Sequence, residues 1–411
     1  MIEIKDKKDC YGCHACEQVC ARNCITMQAD NEGFLYPIVD KEACNNCGLC
    51  EKVCPAIHQD SPRAPLAQYI AINRNEAIRL NSSSGGIFTL LAEKVINDGG
   101  VVFGARFNEN WNVVHTWTDT LDRLDAFRGS KYVQSHIGDS YREAREFLKQ
   151  GRKVLFSGTP CQIAGLRRYL RNEYDNLFTV DIVCHGVPSP GVWHRYLDEF
   201  RDTLRSEYNE EKGLIPSSAN KYPIITGISF RDKTNGWKKF SFRLRYRPSA
   251  MEEERDFLQP FVENPFMQGF LVNINLRPSC HACSAKSGKS GSDVTIADAW
   301  GLNQFAPEHD DDKGACYVLE NTEKGRCFLR QLQFDCQPIG REVVKSYISL
   351  YSSSVKSHPK RLLFFREYAK KDKTIESIVL QLLTPTYLGK LIWSIKHRLA
   401  PIKNRLFKPI R

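Results

Sequence analysis

The sequence predicts an α+β and α/β protein in three parts: a small cysteine-rich N-terminal domain, an α/β domain with a largely parallel or mixed sheet, and a C-terminal helical tail. Nine of the sixteen cysteines lie within the first 54 residues. Strand-like and helix-like segments then alternate from residue 66 to about residue 205, which is typical of helices covering a sheet. The last part is helical in its periodicity and rich in basic residues.

The cysteines of the N-terminal domain form two runs of one pattern, C-x2-C-x2-C-x3-C, and the second run is followed by Pro55. This is the spacing of bacterial two-cluster ferredoxins, in which the fourth cysteine of each run binds the other 4Fe-4S cluster. The predicted ligands are Cys10, Cys13, Cys16 and Cys54 for one cluster and Cys44, Cys47, Cys50 and Cys20 for the other. Structural zinc, the alternative, uses pairs of cysteines and leaves the third of each run unexplained.

Bulk composition indicates a globular protein of two or three domains, with 42% hydrophobic residues. The many cysteines and the absence of a signal peptide indicate metal ligation in a reducing cytoplasm rather than disulfides. No apolar run reaches the roughly 18 residues that a membrane-spanning helix needs. We therefore expect a cytoplasmic protein, with the inner membrane face as a peripheral alternative.

The segments along the chain predict four regions, with boundaries at 1–58, 66–205, 206–355 and 356–411. In the ferredoxin-like domain, Ile25–Met27 and then Gly33–Pro37 are expected to form a short strand and turn, and the polar segment His58–Pro65 is the linker that follows. The second region is expected to contain the strands Gln68–Asn73, Val101–Phe107, Lys153–Ser157 and Leu177–Cys184, and the helices Ile87–Asn97, Gln162–Leu170 and Pro190–Asp202.

The third region is predicted to contain a β-hairpin instead of alternating strands and helices. Ile224–Arg231 and Lys238–Tyr246 flank Asn235-Gly236, which is a strong hairpin signal. The segment Asp256–Leu276 is predicted to be helical, with interruptions at Pro260 and Pro265.

The tail has no Asp or Glu from Ser377 to Arg411 and carries seven Lys and Arg residues there. Apolar residues from Tyr387 to Leu399 recur at helical spacing. A basic amphipathic helix can make a weak contact with an anionic membrane surface, but a helix packed on the body is the favoured interpretation, because every docked helix is amphipathic. No recognition motif indicates nucleic acid binding.

Two features of the α/β region lie in turns and carry candidate chemistry. The turn Ser82–Gly86 precedes a helix, so its free backbone amides could hold a phosphate, although a helix cap explains it equally well. Four further cysteines, Cys161, Cys184, Cys280 and Cys283, could bind a third 4Fe-4S cluster; a redox pair at Cys280 and Cys283 or a zinc site are the alternatives. The remaining cysteines are expected to be core residues or bystanders: Cys24, Cys316, Cys327 and Cys336.

Seven short motifs occur in a fixed order: Ser84–Gly86, Gly129–Val133, Gly158–Gln162, Cys184–Ser189, Phe230–Lys233, Arg277–Cys283 and Asp293–Gly301. This series resembles the beta subunits of coenzyme F-420 hydrogenases and dehydrogenases, here fused to an N-terminal two-cluster ferredoxin domain. The resemblance covers roughly residues 1–350. Ala21 stands where a proline usually follows the fourth cysteine, a change that leaves ligation intact.

The resemblance implies an iron–sulfur flavoprotein oxidoreductase in which FAD stands between 4Fe-4S clusters and a two-electron carrier or substrate, because a flavin handles both one and two electrons. A non-catalytic electron-transfer subunit or adaptor is the alternative. The implied partner is a redox protein or a small electron carrier. The residues that correspond to the family's flavin region are Ser83, Ser84, Gly85, Gly86, Ser130, Lys131 and Tyr132.

Overall fold

The computed structural model describes residues 1–213, 223–340, 342 and 348–384. Its N-terminal part is built on two short helices, α1 (Ala15–Val19) and α2 (Leu49–Lys52), and on one antiparallel pair, β1 (Ile25–Ala29) and β2 (Leu35–Val39). Each cysteine run therefore passes from a loop into a helix. The strand predicted at Ile25–Met27 is confirmed, whereas most of Gly33–Pro37, predicted as a turn, belongs to the second strand of this pair.

An eight-stranded mixed sheet forms the centre of the molecule, in the order β13-β3-β12-β11-β7-β6-β4-β5. Its strands are β3 (Ala67–Ile72), β4 (Val101–Phe107), β5 (Val113–Thr118), β6 (Val154–Gly158), β7 (Leu177–Ile182), β11 (Val294–Asp298), β12 (Cys316–Glu320) and β13 (Asp335–Pro338). The pairs β4·β6, β6·β7 and β7·β11 are parallel, and the remaining pairs are antiparallel. The predicted mixed α/β sheet is confirmed.

Helices cover both faces of this sheet. They are α3 (Glu76–Leu80), α4 (Ile87–Asn97), α5 (Ser140–Lys149), α6 (Pro160–Leu170), α7 (Pro190–Lys212) and α9 (Glu323–Leu329). Alternation along the strands divides the core, because successive side chains of a strand point to opposite faces. Phe103 and Phe156 pack against α5, α6 and α1 on one face, whereas Val102 and Leu155 pack against α4 on the other.

A second, three-stranded antiparallel sheet stands apart, in the order β10-β9-β8. Its strands are β8 (Ile224–Asp232), β9 (Ser241–Arg247) and β10 (Arg255–Pro260). The predicted hairpin around Asn235-Gly236 is confirmed. The prediction of helix over the first part of Asp256–Leu276 is wrong, because Arg255–Pro260 pairs with β9 as an edge strand. Helix α8 (Pro265–Leu271) begins at Pro265, because the fixed φ of proline suits the first position of a helix.

The largest apolar core lies between this second sheet and α7, and its centre is the fully buried Trp193. Phe34 and Tyr36 of the ferredoxin-like part enter the same core, so that part packs directly on the body. Two C-terminal helices, α10 (Arg361–Lys370) and α11 (Ile375–Leu383), also pack against this apolar core. The basic amphipathic helix predicted from Tyr387 onward lies outside the described residues.

Within the described residues, no helix combines the length and the apolar character that crossing a membrane requires.

Candidate functional site

The first predicted cluster site brings together cysteines from both runs. Cys10, Cys16 and Cys54 are buried, and Cys13 is half-buried. Burial raises the pKa of Cys16, and the nearby Cys10 and Cys54 thiols raise it further. Cys13 has the same neighbours: burial raises its pKa most, followed by Cys54, Cys16 and Cys10. These four thiols are therefore close enough to affect one another's ionisation, and Cys50 of the second predicted set also raises the pKa of Cys16. The crossed ligand assignment stays a prediction.

The second predicted site is less buried and contains an additional cysteine. Cys44 and Cys20 are half-buried, Cys50 is buried and accepts a hydrogen bond from the backbone N–H of Ile2 at 3.3 Å, and Cys47 is exposed. The sulfur of Cys24 lies 3.4 Å from that of Cys20. Hydrogen bonding to Cys20, and more weakly to Cys44, raises the pKa of Cys24 to about 12. Cys24, predicted to be a bystander, thus adjoins two predicted ligands.

A third group of cysteines comes from three separate turns and adjoins the central sheet: Cys161, Cys184, Cys280 and Cys283. Cys161 lies in the first turn of α6, Cys184 follows β7, and Cys280 and Cys283 surround a 3-10 turn at Pro278–Ala282. Burial and the neighbouring Cys283 thiol raise the pKa of Cys161 to about 12, and Cys184 contributes. Burial and then Cys280 raise the pKa of Cys184 to about 12. We call these four residues the body cysteines.

Hydrogen bonds reach the sulfurs of the body cysteines. The Thr159 hydroxyl lies 3.2 Å from the Cys161 sulfur, and the backbone N–H of Val187 donates to the Cys280 sulfur at 3.4 Å. Among the residues that the structure describes, no three His, Cys, Asp or Glu side chains are close enough together to hold a single metal ion. A 4Fe-4S cluster makes a different demand, because its thiolates bind the iron atoms of an extended core.

The first cluster site and the body cysteines share buried neighbours. The guanidinium of Arg277, fully buried, donates to Cys10 O at 2.8 Å, and its Nη2 lies 3.6 Å from the Cys10 sulfur. The same guanidinium lowers the pKa of Cys161 and Cys280, opposing the effect of their burial. Tyr11 hydrogen-bonds Ser284, and its pKa is raised by burial and by Cys283 and Cys161. One continuous buried region therefore joins the two cysteine groups.

Gly165 provides a test of this contact. It lies in α6, and a Cβ at this position would stand 2.9 Å from the Tyr141 hydroxyl and 3.1 Å from the Cys13 sulfur. Replacing glycine with alanine inside a helix ordinarily stabilises by roughly 0.5–1 kcal/mol. Because the Tyr141 hydroxyl and the Cys13 sulfur leave too little room for a methyl group, we expect Gly165→Ala to lower the free energy of unfolding by about 1–3 kcal/mol instead. Denaturant titration measures the change, and a more stable variant would show that α6 and the Cys13 loop are not in contact.

A cavity of about 680 Å³ lies between the central sheet and the three-stranded sheet. It is within the size range of cofactor and substrate pockets. Six of the seven residues that the sequence assigns to flavin binding line it: Ser83, Ser84, Gly86, Ser130, Lys131 and Tyr132. Its lining also includes Cys184 and His185, so the cavity reaches the body cysteines.

The remaining residue of that set, Gly85, has a packing role. A Cβ at Gly85 would lie 2.6 Å from Ala71 O and 2.7 Å from Cys316 N, so only glycine fits between β3 and β12. Its backbone N–H donates to the Cys316 sulfur at 3.2 Å. Cys316, predicted to be a core residue or bystander, is buried and also forms part of the cavity wall.

The turn before α4 presents backbone groups to the cavity. Gly86 at the N-cap has φ 80°, and no side chain caps the helix. Ser83 Oγ accepts from the backbone N–H of Ser130 at 2.5 Å, which joins this turn to the Gly129–Val133 segment. The helix-cap explanation of Ser82–Gly86 therefore does not apply to its serine hydroxyls, since none of them caps α4.

The cavity wall is more basic than acidic. Its charged residues are Arg128, Lys131, Arg231, Lys238 and Asp298. Burial lowers the pKa of Lys131 to about 7, and its Nζ donates to Ala126 O and Arg128 O, each at 2.9 Å. The other three basic groups each pair with a carboxylate: Arg128 with Asp125, Arg231 with Asp298 and Lys238 with Asp310.

Comparison with known families gives two matches. Residues 9–57 match the model of a 4Fe-4S dicluster domain, and residues 151–336 match the model of the C terminus of the coenzyme F420 hydrogenase/dehydrogenase beta subunit. Within these two ranges the chain is similar to a dicluster domain and to the C-terminal region of this beta-subunit family. The predicted resemblance is confirmed, and iron–sulfur electron transfer is the activity that it establishes.

Comparison with solved structures finds a chain of the F420-reducing [NiFe] hydrogenase complex from Methanosarcina barkeri. The two chains are 14% identical with a TM-score of 0.45, over 77% of this chain and 95% of that one. No curated protein matches the sequence.

The beta-subunit region contains a cavity group that sequence reasoning did not assign to the site. Arg231 and Asp298 lie in two of the motifs that carry the resemblance, but neither received a role there. In the fold, Arg231 Nη1 donates to Asp298 Oδ2 at 2.6 Å, and both residues line the cavity. Their separation by 67 positions in the chain hides this contact from any local pattern.

Proposed function

We propose that this protein is an iron–sulfur flavoprotein oxidoreductase, which exchanges single electrons with a redox partner and two electrons with a carrier or substrate. The observation that supports this most is the continuity of the cavity: one end is the Ser82–Gly86 turn and the other reaches Cys184 and His185. A group bound in the cavity would adjoin the body cysteines, which in turn share Arg277 with the first cluster site.

FAD fits the residues at the serine end of the cavity. Helix α4 has eleven residues and no side-chain cap, and the N-terminal end of such a helix favours phosphate. Gly129, with φ +83°, has open space where a Cβ would stand. The wall carries more basic than acidic groups. Ser83, Ser84, Gly86, Ser130, Lys131 and Tyr132 would hold the cofactor here.

The chemistry that FAD supplies when bound is the conversion between one-electron and two-electron transfer. The chain's own residues would position the cofactor and shield it from water. Tyr132 packs on Phe270, with ring centroids 4.5 Å apart, and Phe270 packs on His185 at 4.8 Å, which makes an aromatic floor toward Cys184. These rings form part of the cavity wall next to Cys184 and would pack against a bound cofactor.

The body cysteines would hold a third 4Fe-4S cluster. All four thiols are free of disulfides and surrounded by protein. Lys286 supplies positive charge beside them, since its Nζ donates to Cys184 O at 2.8 Å and its charge lowers the pKa of Cys184 and Cys283 against the effect of burial. A cluster with four thiolates is an anion, so a buried lysine at this place offsets its charge.

The electron-transfer subunit is the second candidate function, and the exposure of Cys47 favours a protein partner. A predicted ligand of the second cluster at the surface would bring that cluster within reach of a docked redox protein. As an electron-transfer subunit, the chain would pass electrons to this redox protein and would bind no substrate of its own.

Anaerobic purification followed by measurement of iron, acid-labile sulfide and released FAD separates these functions. We expect about twelve iron atoms, four for each of three clusters, and FAD near one per chain. Dithionite should bleach both absorbance bands, and an added hydride acceptor should restore them. About eight iron atoms would remove the third cluster, and full clusters without flavin, even after FAD is supplied, would leave the electron-transfer subunit. Zinc without sulfide would contradict both.

A further inference from the structure

A second cavity, of about 380 Å³, lies where the end of α2, the end of α6 and the loop after the body cysteines come together. Five Lys and Arg side chains line it, against two acidic ones. The five come from all three of these segments: Lys52 from α2, Arg167, Arg168 and Arg171 from the end of α6, and Lys289 from the loop. We call this cavity the basic cleft.

The charge of the basic cleft is only partly balanced within the chain. Arg167 donates to Glu173 at 2.6 Å, and Arg168 donates to Asp60 at 2.5 Å. Three further cations have no acidic partner among the residues that the structure describes: Lys52, Arg171 and Lys289. The first two of these side chains are exposed, and the third is half-buried. The cleft therefore binds carboxylates already and has cations left for more of them.

The residues beneath the charge distinguish the basic cleft from an ordinary basic surface. Its wall contains two residues that each directly follow a predicted cluster ligand: Pro55, after Cys54, and Ser284, after Cys283. Helix α6, which supplies three of the arginines, also adjoins the first cluster site, since a Cβ at Gly165 would lie 3.1 Å from the Cys13 sulfur. A molecule seated in the cleft would thus come close to the first cluster site and to the body cysteines.

Charge and position together indicate the kind of molecule that fits. Complementary charge steers a protein toward its partner and orients it there, and the complexes of electron-transfer proteins are small and weak. A small protein with surface carboxylates would satisfy the three unpaired cations and would bring its own redox centre toward the two cysteine groups. The exposed Cys47 does not line this cleft, so the cleft is a separate approach to the clusters.

We propose that the basic cleft is the docking site of a small acidic electron-transfer protein, which delivers single electrons to a cluster at the first site or at the body cysteines. The delivery of electrons rests on the proposed function, because it requires those clusters. The binding of an acidic protein does not, since it follows from the charge of the cleft alone.

Binding of an oxidised plant-type 2Fe-2S ferredoxin, an acidic one-electron carrier, to the anaerobically purified full chain tests the docking site. Biolayer interferometry measures the dissociation constant at an ionic strength of about 0.01 M, where the screening length is about 30 Å. We expect the cleft variant, Arg171→Glu with Lys289→Glu, to bind at least about tenfold more weakly than the parent chain. At about 0.1 M, where the screening length is about 10 Å, this difference should shrink.

Two control variants reverse one basic charge each outside the basic cleft. Arg330→Glu is the matched control, because Arg330, like Arg171, is an exposed arginine at the C-terminal end of a helix. Its helix, α9, packs on the face of the central sheet opposite to α6. Lys41→Glu reverses an exposed charge shortly before Cys44, beside the second predicted cluster site. Both controls should bind ferredoxin as the parent chain does.

Stopped-flow mixing with reduced ferredoxin tests the electron step. One electron leaves the 2Fe-2S centre, which is oxidised, and enters a 4Fe-4S cluster, which is reduced. We expect the second-order rate constant of cluster reduction to fall about tenfold in the cleft variant at low ionic strength. Dithionite, a small reductant, should still reduce the clusters of this variant completely, and its iron and sulfide content should equal that of the parent chain.

The outcomes separate this proposal from the proposed function. No ferredoxin binding to the parent chain, undiminished binding to the cleft variant, or an equal loss in Arg330→Glu or Lys41→Glu would overturn the docking site. Cleft-dependent binding without electron transfer to a chain with full clusters would overturn the delivery of electrons. Cleft-dependent binding and reduction in a chain that takes up no FAD would support the docking site and overturn the flavoprotein.

Discussion

Replacing Cys13 with serine is expected to remove one cluster, lowering the iron content of the ferredoxin-like domain from about eight atoms to about four. Cys13 has Cys54, Cys16 and Cys10 as neighbours, so the whole first site loses its cluster when one ligand is lost. Cys13 itself packs against α6, where its sulfur would lie 3.1 Å from a Cβ at Gly165, so loss of the cluster would also cost stability. Iron and sulfide analysis after anaerobic purification measures the loss directly.

Cys327→Ser is the control for this experiment. Cys327 is an exposed thiol on α9 and belongs to neither cysteine run. It should leave iron and sulfide unchanged. Equal metal content in the two variants would contradict the assignment of Cys13 as a ligand, and loss of both clusters from Cys13→Ser would show that the two sites fold as one.

Replacing Arg277 with glutamine is expected to make reduction of the first cluster less favourable. Nη2 of Arg277 lies 3.6 Å from the Cys10 sulfur, and nearby positive charge stabilises the more negative, reduced cluster. We expect the ratio of reduced to oxidised cluster at a given potential to fall tenfold or more, which for one electron is a decrease of about 59 mV. Redox titration followed by electron paramagnetic resonance measures this shift.

The same substitution should also destabilise the fold. Arg277 donates to the backbone carbonyls of Cys10 and Leu35 at 2.8 and 2.9 Å and to Gln134 Oε1 at 3.0 Å. Its partners within the described residues include no carboxylate. The substitution leaves the carbonyls of Cys10 and Leu35 without this donor, and since a buried acceptor left unsatisfied costs about 1–3 kcal/mol, we expect the free energy of unfolding to fall by about 2–6 kcal/mol.

Arg361→Gln separates the effect on potential from the effect on stability. Arg361 is also buried and contacts the ferredoxin-like part, but it does so by pairing with Glu32 at 2.5 Å, and it donates to Leu276 O at 2.8 Å. This control should destabilise the chain without moving the cluster potential. If both variants shift the potential equally, the shift reports structural damage and the electrostatic role of Arg277 is wrong.

Local signals predicted the elements that depend on local chemistry. Helix Ile87–Asn97 and strand Val101–Phe107 have the predicted bounds, since apolar periodicity and the Gly99-Gly100 pair mark them within a short stretch of chain. Strand Arg255–Pro260 could not be found in this way. It is half-exposed, and its conformation comes from hydrogen bonding to β9 rather than from its own pattern.

The candidate site likewise has a part that the sequence predicted and a part that only the fold revealed. Cysteine spacing by itself identified the dicluster domain, because the ligands of each run lie within one turn of loop and helix and the iron chemistry dictates their separation. Four body cysteines could be suggested from the sequence, but only the fold brings Cys161, Cys184 and Cys280 from three turns into one buried group.

What the sequence determined about this protein is the ferredoxin-like domain, the mixed α/β sheet and the resemblance to the beta-subunit family, all of which rest on short motifs read in order. The tertiary structure alone decided that the serine turn and Cys184 border one cavity and that Arg277 lies between two cysteine groups. It also decided that Arg231 pairs with Asp298, 67 positions further along the chain. These contacts join residues far apart in the chain, and their geometry is set by how the sheets and helices pack, which no local pattern records.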